Sequence, residues 1–211
     1  MSSLRKTALI AGALYLLTFA ASIPALPLLD PVLHHRDFIL GVGSAHQVVW
    51  GCVFDLVNAL AAAASAVALF PVVKRQSEAL ALGFVVSRLL EAAVVVIGIV
   101  SLLAVVSLRD SGATGSDAHS LLLAGRSLVA VRDWTFLLGP GLMPAINALL
   151  LGTLLYRSGL VPRALPSIGL LGAPLLIGSV LATLFGAFDQ TSAPALLLAL
   201  PIAAWEFSLG L

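Results

Sequence analysis

The chain has 211 residues, 60% of them apolar and 10% charged, with 11 basic against 10 acidic side chains and a mean hydropathy of +1.11. A soluble domain carries about 25% charged residues, so this chain cannot cover a water-facing surface, and soluble enzymes, coiled coils and disordered chains are excluded. A net charge of +1 offers no basic patch for nucleic acid. What remains is an all-α polytopic membrane protein.

An apolar helix needs about 20 residues to cross a hydrocarbon core ~30 Å thick, and backbone at that depth must satisfy its own hydrogen bonds. Six stretches qualify or nearly do: residues 7–28, ending at Pro24 and Pro27; 47–70, closed by Pro71; 79–107; 134–156; 167–188; and 194–211. They predict one transmembrane domain of six helices over residues 1–211. Arg5 and Lys6, followed by an apolar run and by small residues near Ala21 and Ser22, have the outline of a signal peptide. The run is long for such a segment and more spans follow, so it reads as the first transmembrane helix. Residues 118–133 are too polar for a span. Leu121, Leu122, Leu128 and Val129 share a face there, which predicts an interfacial helix on the outer side leading into helix 4.

Basic residues set the orientation. Arg5 and Lys6, Lys74 and Arg75, and Arg157 and Arg163 fall in tight segments on one side. Arg36, Arg109, Arg126 and Arg132 are spread over longer loops on the other. Both termini are therefore expected in the cytoplasm.

Several motifs point to a kinship when read in order. They are Arg5-Lys6-Thr7-Ala8, Leu69-Phe70-Pro71-Val72, Glu78 to Gly83, Ser87-Arg88-Leu89-Leu90-Glu91-Ala92, Leu154 to Arg163, Leu170 to Pro174, and Ala204-Trp205-Glu206-Phe207-Ser208-Leu209-Gly210. Together they resemble the DUF4386 family, small multispanning bacterial membrane proteins with no assigned activity. The resemblance extends over essentially the whole chain. It implies a place in the bacterial plasma membrane and lends no chemistry. It also implies that helix 6 is cut short at Leu211, because relatives continue past the Trp-Glu-x-Ser-Leu-Gly segment into more apolar residues and a basic tail.

Chemistry must come from the polar residues inside the spans. A charge at the centre of a span costs about 2.5–3.5 kcal/mol on insertion scales. Asp55, Arg88, Glu91 and Glu206 cannot easily reach an interface. Arg88 and Glu91 are three apart and share a helix face, as do Asp55 and Asn58. At 1.5 Å per residue, Asp55 lies about 12 Å below the outer edge and Glu91 about 18 Å above the inner one, which makes them level. Asn58 is then level with Arg88, Glu206 lies at a similar depth, and Asn147 somewhat deeper. The candidate binding cluster is therefore Asp55, Asn58, Arg88, Glu91, Asn147 and Glu206. Three acids against one arginine leave a carboxyl that must keep its proton or hold a cation.

Other features read as structural. Gly139-Pro140-Gly141 and Pro144 predict a kink in helix 4. Gly169, Gly172, Pro174 and Gly178, the alanine-rich stretch 59–68 and Gly12 suit close helix packing. Asp133 and Trp134 suit a helix N-terminus and an interface anchor. His34, His35, His46 and His119 read as outer-loop residues, and no metal site is expected of them. Cys52 is alone, which excludes a disulfide or a cysteine-based metal centre. Lys6 and Lys74, the only lysines, sit at segment ends, so no retinal Schiff base can form inside the bundle. Phosphate-loop, zinc-protease and serine-elbow motifs are absent. No catalytic residue and no cofactor is assigned.

Three readings follow: a membrane protein binding or passing a small solute, proton or cation at the cluster; a structural or regulatory partner, within a homo-oligomer or with another membrane chain; and an intramembrane enzyme acting on a lipophilic substrate. The first expects a cavity reaching the cluster. The second expects a sealed cluster, and the third a sideways opening to lipid. The lipid bilayer is the one partner common to all three.

Overall fold

Three prolines inside the first helix do not end it. In the computed structural model, which describes residues 3–110 and 116–211, α1 runs Ser3–His34 through Pro24, Pro27 and Pro31. It thus continues past the expected end at residue 28. Proline lacks the N–H that would bond the carbonyl four residues back. Pro31 therefore orphans the carbonyl of Pro27, and Gln47 on the next helix donates its Nε2 to it at 3.1 Å. A freed carbonyl satisfied by a neighbouring helix is how proline is tolerated in a span.

The second helix, α2 (Ala45–Val73), starts at Ser44, whose hydroxyl accepts from the N–H of Gln47 at 3.3 Å. Ser77 caps α3 (Glu78–Arg109) through the N–H of Leu80. Between α1 and α2 a short 3-10 turn, Phe38–Leu40, is clamped by Arg109. That guanidinium donates to the backbone carbonyls of Phe38, Gly41, Val42 and Gly43, and its carbon lies 4.6 Å from the centre of the Phe38 ring.

The expected interfacial helix is a correction. The segment is helical, as α4 (Ser116–Phe136), but it does not stop before the next span. It passes through a π-helical segment, Leu137–Leu142, into α5 (Met143–Ser158), so residues 117–158 form one apolar helix of 42 residues. The helix lies antiparallel along α3: Gly83 meets Leu150, Gly139 meets Val94, and Gly98 meets Arg132 and Thr135. The reason lies at the expected kink. Gly139-Pro140-Gly141 is accommodated by a wider π turn rather than by a break. The polar stretch therefore runs beside α3 instead of across its end, and Arg132 is only 7% exposed.

Gly159 ends α5 in the left-handed conformation at φ 63°. Two more helices follow, α6 (Ala164–Leu184) and α7 (Ala193–Leu209). Counted with 117–158 as one, the described residues form an all-α bundle of six helices, five of them long and apolar enough to cross a membrane. The shorter α7 packs on α6 through Gly169, where an added Cβ would stand 2.8 Å from the Trp205 ring. The ends of the chain meet: Gly12 of α1 lies against the Gly210 backbone, so the N- and C-terminal ends share one face of the bundle.

Two apolar cores form. One gathers Tyr15, Phe84, Leu151 and Trp205 near that end, and the other gathers Phe38, Val48, Ile99 and Leu102 toward the opposite end. On α3, Arg88 and Glu91 fall between them.

Candidate functional site

Helix α3 positions the centre of the site. Arg88 and Glu91, one turn apart, bond directly, Nη1 to Oε2 at 3.1 Å. Nη2 of Arg88 reaches across to Oε1 of Glu206 on α7 at 2.5 Å. Asn147 on α5 donates its Nδ2 to the same Glu91 oxygen at 2.7 Å. The Arg88 guanidinium also lies 5.1 Å from the centre of the Tyr15 ring on α1. Residues of four helices therefore meet around Arg88 and Glu91, which are only 3% and 8% exposed. This is the grouping of Arg88, Glu91, Asn147 and Glu206 that depth along the helices anticipates.

Asp55 departs from expectation. Its carboxylate does not bond to α3 but accepts from Nη2 of Arg132 at 2.8 Å. Gly98 makes room for this arrangement, since a Cβ there would come within 2.9 Å of the Arg132 side chain. The Arg132 guanidinium carbon is 4.7 Å from the centre of the Phe136 ring, one turn on. Arg132 is thus a residue of the candidate site that the sequence assigns to an outer loop.

All three ion pairs line one cavity of about 1390 Å³. At its deep end are Asp55, Asn58, Arg88, Glu91, Arg132 and Glu206. Toward the rim it is lined by Asp30, Asp133, Trp134 and Asp189. The rim is open: Trp134 is 53% exposed, and the Asp30 side chain, bonded to His34 at 2.9 Å, is 55% exposed. Asn147 does not line the cavity but holds Glu91 in place, and Asn58 lines it without a hydrogen bond among the described residues.

The free polar atoms decide what the cavity can hold. Each of the three deep carboxylates uses one oxygen on an arginine. Asp55 Oδ1, Glu91 Oε1 and Glu206 Oε2 accept no hydrogen bond from any described residue. Three carboxylates face two guanidiniums, so the deep end is short of one positive charge when all are ionised. No group of three or more His, Cys, Asp or Glu side chains converges as a metal-binding set among the described residues. The free oxygens are spread around a large space instead of focused on a point.

Neither the curated proteins nor the solved structures contain a match to the chain. A family model, described as a domain of unknown function, matches residues 10–211. That match covers α1 from Ile10 onward and every later helix, including all the residues of the cavity. The chain accordingly belongs to the DUF4386 family.

Proposed function

We infer that this membrane protein binds an organic cation in the cavity, with Glu206, Glu91 and Asp55 supplying the negative charge. One observation carries the reading: the buried Asp55 and Glu91 and the part-buried Glu206 each keep an oxygen free on a single open cavity, and each of its two arginines already holds a carboxylate. A packing network serving only a partner subunit needs no such opening. A bare metal ion needs a convergent ligand set, whereas a larger cation uses several carboxylates across a space of this size. Trp134 and Phe188 on the wall suit a cation further, because ring faces attract positive charge.

Orientation follows from the basic loops. Arg5 and Lys6, Lys74 and Arg75, and Arg157 and Arg163 are assigned to the cytoplasmic face of a bacterial plasma membrane. The cavity mouth at Asp30 and Asp189 then faces outward, and the site is open to cations from that side.

The test is equilibrium binding of quaternary ammonium ions to the purified full chain, wild type against Glu206→Gln. Glu206 is the most accessible of the three carboxylates, with its side chain 16% exposed. The substitution keeps its shape and one acceptor. Saturable binding weakened at least tenfold by Glu206→Gln is expected. Equal binding by both proteins would remove Glu206 from the site, and no saturable binding by a folded wild type would end the reading.

A further inference from the structure

The walls of the cavity say how a ligand fits. At the end where the termini meet, α1 and α7 touch: Gly12 lies on Gly210, Leu16 on Gly210, and the Phe19 and Phe207 rings meet edge to face at 5.5 Å. From Thr18 and Phe19 onward the cavity opens between α1 and the connection from α6 to α7. It is lined on the α1 side by Ser22, Ile23 and Leu26, and on the other by the connection from α6 to α7. Ile23 is 63% exposed and Leu26 61% exposed, so this flank of the cavity is an open apolar slot. Glu206 lines the same cavity, next to Phe207 on α7.

We propose that the ligand is an amphiphilic organic cation, its charged group against Glu206 and its apolar part in the slot between α1 and the α6–α7 connection, along Ile23 and Leu26. This rests on the cation reading above and adds the ligand's second half. The carboxylates account for the charge alone, and a purely hydrophilic cation leaves the apolar slot unused. The slot and the carboxylates are continuous in one cavity, so a single molecule can occupy both. Arg88 and Arg132, held by their own carboxylate partners, repel a second cation and so favour one charged group per ligand.

The experiment compares two probes on the full chain in nanodiscs: tetraphenylphosphonium, a lipophilic cation, and tetramethylammonium, a compact hydrophilic one. Glu206→Gln nanodiscs supply the background for partition into lipid. The expected result is saturable, Glu206-dependent binding of tetraphenylphosphonium at least tenfold tighter than that of tetramethylammonium. Ser22→Trp, which places a bulky ring in the slot, should weaken tetraphenylphosphonium at least tenfold and change tetramethylammonium less than twofold. Ser22→Ala is expected to bind both like wild type, which separates filling of the slot from loss of the hydroxyl. If tetramethylammonium binds as well or better, or Ser22→Trp leaves tetraphenylphosphonium unchanged, the amphiphile is wrong while the cation site stands. If neither probe shows Glu206-dependent binding, both inferences fall.

Discussion

Replacing Arg88 with methionine is expected to be the most damaging single change in the chain, at about 3–5 kcal/mol. Arg88 is the common partner of Glu91 and Glu206, and methionine leaves two carboxylates near each other with no cation. A buried pair broken from one side costs far more than the pair contributes, because the survivor keeps its desolvation penalty. Against a typical total stability of about 5–15 kcal/mol this is a large fraction. The matching control removes the charges together. Arg88→Met with Glu91→Gln and Glu206→Gln leaves no charge unpaired and should recover most of the lost stability. Thermal unfolding in detergent, followed by the monodisperse fraction on size exclusion, reads both. A triple variant as unstable as the single one would mean that Arg88 acts through its packing on Tyr15, and not through charge.

The second large effect is at the pair no single-helix reading anticipates. Arg132→Met should cost about 3 kcal/mol by stranding Asp55, and Asp55→Asn less, since asparagine can still accept from the arginine. The double variant Arg132→Met with Asp55→Asn should be less damaged than the sum of the two. A coupling of about 1–3 kcal/mol is expected for residues in direct contact. Additive effects in this cycle would contradict the contact and return Arg132 to the outer loop. They would also dismantle the cavity wall, because the register of α4 along α3 places Arg132 there.

How far the sequence reaches is clearest at these two arginines. Arg88, Glu91 and Glu206 sit in long apolar segments with unmistakable ends, so counting 1.5 Å per residue puts them at a common depth, and the structure joins them. Asn147 follows from the same count. Arg132 does not, because residues 118–133 are polar enough to look like surface, and hydropathy says nothing about a helix that continues through a π turn. A signal was present in the charge balance: three acids and one arginine within the spans ask for a second cation, and Arg132 is the basic residue nearest the start of helix 4. Tyr15 is invisible for a different reason. In an apolar helix an aromatic residue is unremarkable until a guanidinium is found over its ring. The end of α1 is missed because proline is read as a stop, which holds in water; here Gln47 bonds the orphaned Pro27 carbonyl from α2, a contact across 20 residues of chain. The cavity lies beyond sequence reasoning altogether. It arises where α1 faces the connection from α6 to α7, segments far apart in the chain whose juxtaposition no local residue pattern encodes.

The central claim is that free carboxylate oxygens in an open cavity receive a cation. Labelling with dicyclohexylcarbodiimide tests it most directly: this apolar reagent modifies carboxyl groups inside membrane proteins, and peptide mass spectrometry locates the adduct. With tetraphenylphosphonium at saturating and at zero concentration, the account predicts an adduct on Glu206 that the cation suppresses at least tenfold, while carboxyls outside the cavity such as Glu78 and Asp117 label equally in both. An adduct on Glu206 that forms equally with and without the cation would contradict it.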